Sequence, residues 1–459
     1  MIKPTRTGLV ILAWIFALVL SGCGSSSTNP FTYFKASNTD PGDEFGRAVA
    51  ISDDGGTLAV GAYLESSDGV TVPIESNNDE AAAGAVYVFT STGGWQQQAY
   101  LKATTAAAGD QFGFSVALSS DGNTLAVGSP FYDGAGTDRG AVDIFTRSGS
   151  TWAHQQQIVG LADNDGYGWA IALSNDGSVL VVGAPLESTT ASSSGTVYVY
   201  TTTNGWASVA TTDTIKAATP SANDQLGVSV SINAAGTTFA AGANQISSAG
   251  NGYVKIFVPT GGSSDWATNT GYDERNIVAT DGDTDDQFGV AVSLNSAGDV
   301  LAVGAYQEDS GQTNDATDDL AADAGAAYVF VTSDSWATTD TEVYVKPSSP
   351  AAGDEFGTAV ALNGSGDTLA VGATFAGTGG TAYRITNTGT WAGGIASRWA
   401  ITPSYPDTGD QFGFAVYLSA DAGKMAVGAK GENSSATGVN GDQTDDSETD
   451  SGAAYIHTP

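Results

Sequence analysis

Acidic side chains are the residues of this chain best placed to do chemistry: Asp and Glu number 50 against 15 Lys and Arg, for a net charge of −35. Seventeen of the acids fall in three segments. Residues 61–84 hold Glu65, Asp68, Glu75, Asp79 and Glu80, and residues 304–325 hold Glu308, Asp309, Asp315, Asp318, Asp319 and Asp323. Residues 428–452 hold Glu432, Asp442, Asp445, Asp446, Glu448 and Asp450. Carboxylates and carbonyls converging from one short loop are the oxygen donors that calcium takes. The segment GVNGDQTDDSE (438–448), with Asp442, Asp445, Asp446 and Glu448, is therefore the candidate calcium site. The same acids also fit a second reading, as solvated loops that keep an acidic protein soluble.

Other chemistries lack their residues. Cys23, His154 and His457 are the only thiol and imidazoles, too few for a zinc site or a Cys/His nucleophile. No acid and base, nucleophile or metal set breaks the repeat pattern at one place, so no catalytic residues and no enzyme are expected. Nucleic acid is excluded as a partner, because its phosphates are neutralised by Lys and Arg that this chain lacks.

The N-terminus reads as an export and anchoring signal. Lys3 and Arg6 precede an apolar run over residues 9–20, short for a membrane span and laid out as a signal peptide. It ends Leu20, Ser21, Gly22, Cys23, which resembles a bacterial lipobox. By that resemblance residues 1–22 are removed, Cys23 is lipidated, and Gly24 after it favours the outer membrane of a Gram-negative bacterium. Residues 23–30 are then the lipidated Cys and a flexible tether, GSSSTNP.

The remainder, 31–459, is one unit written seven times. The copies begin at Asp43, Asp110, Asp165, Asp224, Asp286, Asp354 and Asp410, as in DQFGFSVALSSDGNTLAVGS at Asp110. In each copy two glycines stand 15 residues apart, from Gly46 and Gly61 to Gly413 and Gly428. Each copy predicts four strands, a to d. Strands a (114–118 in the second copy), b (124–128) and c (84–90 in the first) are apolar or small on both faces, so both faces must be covered. A Ser/Thr/Gly turn ending in Trp follows c at Trp95, Trp152, Trp206, Trp266, Trp336 and Trp391, and strand d (98–102) is more polar, as an outer edge should be. The tryptophans are expected to pack between blades, and the seven aspartates to accept backbone N–H bonds in their own turns.

Sheets covered on both faces by copies of themselves require a radial arrangement. The seventh copy ends after strand c, at GAAYIHTP, and FTYFKASNTD at 31–40 matches the missing strand d. The fold expected is therefore an all-β, seven-bladed β-propeller of four-stranded antiparallel blades. The N-terminal strand completes the last blade. The d–a and b–c loops emerge on one face, which makes Glu65, Asp68, Asp309, Asp315 and Asp442 markers of a candidate ligand-binding surface.

These copies resemble the FG-GAP repeat family, the repeats of the integrin alpha-subunit propeller and of many bacterial surface proteins. The FG element is Phe45–Gly46, Phe112–Gly113, Tyr167–Gly168, Leu226–Gly227, Phe288–Gly289, Phe356–Gly357 and Phe412–Gly413, and the GAP proline survives at Pro130 and Pro185. Calcium-binding members carry DxDxDGxxxD-like ligands in the a–b turn. Here that turn has at most two acids, as in SDDGGT (52–57), so the usual calcium loop is missing. The resemblance implies an anchored, non-enzymatic module for adhesion to a protein or glycan, with calcium as a candidate cofactor and the membrane reached through the lipid. The alternatives are a propeller enzyme acting on polysaccharide and a purely structural envelope component.

Overall fold

The computed structural model describes residues 30–67, 78–134, 136–245, 250–260, 266, 271–313, 318–339 and 341–459. They form seven four-stranded antiparallel sheets, each in the order a-b-c-d, set as the blades of a β-propeller. In the first blade these are Ala48–Ile51, Thr57–Ala62, Ala85–Thr90 and Gln96–Leu101. Strands b and c of this blade are buried at every residue, whereas d is buried only at its last two, matching the polarity gradient of the sequence.

The seventh blade takes its first three strands from the chain's end, Phe412–Leu418, Met425–Ala429 and Ala453–His457. Its fourth is Phe31–Phe34, paired antiparallel from Phe31 opposite His457 to Phe34 opposite Ala454. The outermost strand of the last blade is thus the first strand among the described residues, and main-chain hydrogen bonds lock the ring where it would otherwise part.

The constant glycine spacing has a steric cause. Within a blade the two glycines are joined by a backbone bond, such as Gly46 N–H to Gly61 O at 3.0 Å. Between blades they touch: a Cβ on Gly61 would lie 2.0 Å from the carbonyl oxygen of Gly113, one on Gly183 1.9 Å from that of Gly227, and one on Gly428 2.0 Å from that of Gly46. Backbone therefore meets backbone at the seam, where only glycine fits. Strand c starts at Ala85 rather than at Gly84 because Gly84, with φ of 82°, bends against the Phe112 carbonyl of the next blade.

The FG aromatics fill these seams. Phe45, Phe112, Phe356 and Phe412 are completely buried, each contributing roughly 1.5–3 kcal/mol by burial. Trp206, Trp266, Trp336 and Trp391 pack in the interblade clusters and donate Nε1–H to the a–b turn carbonyls of Gly177, Gly236, Gly298 and Gly366, at 2.7–2.8 Å. Trp152 instead donates to Gln98 Oε1 of the preceding blade, at 3.0 Å.

Around the channel at the a–b face runs a closed circuit of main-chain bonds. Asp53 N–H donates to Ser120 O, Ser120 to Asn175, Asn175 to Ala234, Ala234 to Ser296, Ser296 to Gly364, Gly364 to Ala420 and Ala420 back to Asp53, at 2.9–3.1 Å. Each blade gives one donor and one acceptor, so the circuit closes only when seven blades are present.

Candidate binding face

The d–a and b–c loops share the opposite face, and most of their repeated charge is inside the protein. Glu65, Glu187, Glu308 and Glu432 are 1, 2, 3 and 4 % exposed. Each receives a lysine from the end of strand d: Lys102 Nζ at 2.7 Å, Lys216 at 2.8 Å, Lys346 at 2.5 Å and Lys35 at 2.8 Å. A tyrosine hydroxyl donates to each carboxylate as well, from Tyr100, Tyr198, Tyr344 and Tyr33 at 2.7–3.0 Å. Burial pulls the Lys35 and Lys346 ammonium groups down, and their glutamates oppose it. These pairs occupy the first, third, fifth and seventh blades.

Glu65 is thereby corrected as a marker of the ligand-binding surface. Its carboxylate lies beneath the loops, accepting from Asn38 Nδ2 (2.8 Å), Ser67 N–H (3.2 Å), Tyr100 and Lys102, because a buried charge must be paired and hydrogen-bonded. Sequence reasoning grouped all loop acids as surface and missed a signal that was present. Glutamate follows the second marker glycine by four residues in the same four copies whose lysine precedes the marker aspartate by eight. In the other blades, Val159, Val278 and Thr402 stand at the lysine's place in strand register.

Asp309 is half-buried and shapes its own loop, its Oδ1 accepting from Asp323 N–H at 2.8 Å. In the calcium candidate, Asp442 Oδ1 accepts from the Thr444 N–H and hydroxyl at 2.9 and 2.7 Å, which hold the carboxyl below its ordinary range. Asp445 takes the Ser435 hydroxyl and the Ser447 N–H, with the same effect. Asp446 is exposed, and Glu448 is half-buried with its main chain bonded to Asn433. No three Asp, Glu, His or Cys residues converge on a common point among the described residues. Cys23, Asp68 and Asp315 lie outside the described residues.

The marker aspartates do organise their turns. Asp43, Asp110, Asp224, Asp286, Asp354 and Asp410 each accept, through Oδ2, the N–H three residues back at 2.7–3.1 Å, and Asp165 accepts that of Ala162. Burial pushes Asp43 up to about 8, Asp286 and Asp410 to about 7, and Asp110 and Asp165 to about 6.

Where the face opens into the channel the sevenfold pattern breaks. The residue after each FG pair lines the mouth, and the seven are Arg47, Phe114, Trp169, Val228, Val290, Thr358 and Phe414. One side of the mouth is thus aromatic and cationic and the other small. The Arg47 guanidinium lies between two rings, 4.2 Å from the Phe114 centroid and 4.9 Å from that of Phe414, with Tyr63 at 5.7 Å. Trp169 continues the wall, its ring centroid 4.8 Å from that of Phe114. Glu44, the nearest acid, is taken by Lys430 at 2.8 Å and by the Tyr63 hydroxyl. The cavity measures about 460 Å³, within the range of small-molecule sites. None of these mouth residues was singled out from the sequence; the signal was one arginine and three aromatics at a position small in the other copies.

A family model described as FG-GAP repeat matches residues 33–89, 95–145, 152–200, 272–330 and 342–386, together more than half of the chain. Each matched unit runs d-a-b-c and so straddles the seam between two blades, as the completion of the last blade by Phe31–Phe34 requires. The fourth and seventh copies fall largely outside these matches, yet the structure builds both as complete blades. No curated protein matches the chain.

Proposed function

Because the chain belongs to the FG-GAP repeat family, we propose that it is an exported, lipid-anchored binding module that engages a protein or glycan through its d–a and b–c loop face. In this reading residues 1–22 are the signal peptide, Cys23 carries the lipid, and residues 24–30 tether the propeller to the outer membrane. The function is adhesion or capture rather than catalysis.

The observation that supports it is the broken symmetry of the channel mouth. A purely structural ring has no reason to place Arg47, Phe114, Trp169 and Phe414 side by side at a position that is Val228, Val290 and Thr358 elsewhere. Aromatic and arginine side chains gathered around a concave site are what binding surfaces concentrate.

The test is saturable binding of the purified chain to immobilised glycans and envelope proteins, compared with Trp169→Ala. Binding that the variant loses supports the reading, and equal binding by both refutes it. Labelling with a lipid analogue, lost in Cys23→Ser, tests the anchor. Calcium stays in the reading as a candidate cofactor of residues 438–448, where it would replace the hydroxyl donors on Asp442 and Asp445. A chelated sample titrated with calcium decides this. A ligand at a hundred times its Kd stabilises by about 2.7 kcal/mol, and a shift matched by magnesium removes calcium from the reading.

A further inference from the structure

Resting on the reading that the loop face binds a ligand, we infer that the channel mouth takes a single carboxylated sugar residue, with Arg47 as the group that recognises the carboxylate. Three features of the pocket select this chemistry together. The first is an unspent cation. Among the described residues Arg47 makes no ion pair within 4 Å, because Glu44 is held by Lys430, while the Phe114 and Phe414 ring centroids lie 4.2 and 4.9 Å from its guanidinium carbon. A planar guanidinium carries its N–H donors at its edges, the geometry that meets a carboxylate through two parallel bonds.

The second feature is the aromatic lining of Phe114, Trp169 and Phe414, in which the half-buried Trp169 and Phe414 rings offer apolar surface to the C–H groups of a pyranose and Trp169 is inclined at 56° to the buried Phe114. The third is polar and lies among the cavity's lining. Asn244 Nδ2 donates to Gln287 Oε1 at 3.3 Å, and the Asn244 carbonyl oxygen is buried without a partner. A neutral sugar would leave Arg47 desolvated and unpaired, and an apolar acid would leave the amides unanswered. Each mismatch costs affinity, because buried polar groups left without partners are penalised. A carboxylated sugar satisfies all three. The net charge of −35 argues for one carboxylate entering the cup rather than a polyanionic chain lying across the face.

Thr358 supplies a control for folding. It occupies the place that Phe114 and Phe414 fill in their own blades, so Thr358→Phe inserts a ring the repeat already accommodates and narrows the cavity without touching Arg47.

The experiment is calorimetric titration of the full chain in detergent with D-glucuronate, D-galacturonate and D-glucose. The expected result is saturable binding of at least one uronate, about tenfold or more tighter than glucose, the margin typical of a site built around a polar group. Arg47→Gln should abolish that preference, Arg47→Lys should keep only part of it, and Thr358→Phe should block binding with an unchanged thermal midpoint. Uronates binding no better than glucose, no binding at millimolar concentration, or full binding by Arg47→Gln overturns the inference. The loop-face reading stands apart from that failure, since glycan or protein binding lost in Trp169→Ala would still support it.

Discussion

Replacing Lys102 by methionine strands the Glu65 carboxylate in the interior, and the cost can be worked from the pair's surroundings. Lys102 and Glu65 meet at 2.7 Å with side chains 0 and 1 % exposed, so solvent cannot take over the lysine's role. The orphaned carboxylate has one escape, which is to protonate. Neutralising a group of ordinary pKa about 4.3 at pH 7 costs about 3.7 kcal/mol, at 1.36 kcal/mol per unit, and the same step at pH 5 costs about 1 kcal/mol. These values cap the electrostatic part of the loss. Broken buried pairs typically cost about 3–5 kcal/mol, so the variant should come close to the cap at pH 7. The penalty of the stranded charge is therefore larger at pH 7 than at pH 5. A propeller of this length unfolds with roughly 0.9 kcal/mol per kelvin of entropy, so the midpoint should drop by about 4 °C at pH 7 and about 1 °C at pH 5. Calorimetry or circular dichroism melts at both pH values read this directly. Adding Glu65→Gln removes the charge yet keeps a carbonyl for Asn38, Ser67 and Tyr100, and should recover most of the loss at pH 7. A Lys102→Met cost that is equal at the two pH values, or no recovery in the double variant, would refute the reasoning.

Further outcomes follow from the seams, the turns and the ring closure. Gly183→Ala places a methyl 1.9 Å from the Gly227 carbonyl and should cost more than about 4 kcal/mol or abolish folding, measured by denaturant titration. Gly93→Ala, with φ of 78° and open space around it, should cost only about 1–2 kcal/mol. The raised pKa values of Asp43, Asp110, Asp165, Asp286 and Asp410 mean that the folded state holds protons the unfolded state has released. Their contribution to stability is full below about pH 4 and is lost as pH rises through 6 to 8; Asp43→Asn should flatten the melting-point slope across that window, and an unaltered slope would exclude Asp43 as its source. Deleting residues 31–34 leaves the Ala453–His457 strand with an unpaired edge, so the shortened chain should self-associate in size-exclusion chromatography, whereas a monomer of unchanged midpoint would show that the closure is dispensable.

The fold was legible because a propeller repeats its solution. Seven copies of two glycines 15 apart with three apolar strands, six of them followed by a Trp turn and a more polar fourth strand, amount to one blade written seven times. The placement of FTYFKASNTD ahead of the first copy fixed the ring's closure. Even the aspartate turns were readable, since an Asp three residues past a free N–H has few other uses. The strand limits moved by one or two residues: strand c starts at Ala85 because of the seam at Gly84, strand d of the first blade is Gln96–Leu101 rather than 98–102, and strands a and b of the second are Ser115–Leu118 and Thr124–Ser129.

The charges were not legible in the same way, and the reason is physical. Whether a carboxylate is solvated or buried depends on a partner from another strand. Glu65 and Lys102 are 37 positions apart, and Lys35 reaches Glu432 only because the chain's two ends share a blade. Periodicity therefore determined which residues repeat, and with them the blade, the blade count and the ring. Tertiary structure alone decided where the exceptions to the repeat come together. Arg47 stands between Phe114 and Phe414, from copies at opposite ends of the sequence, because closing the ring makes the first and last blades neighbours.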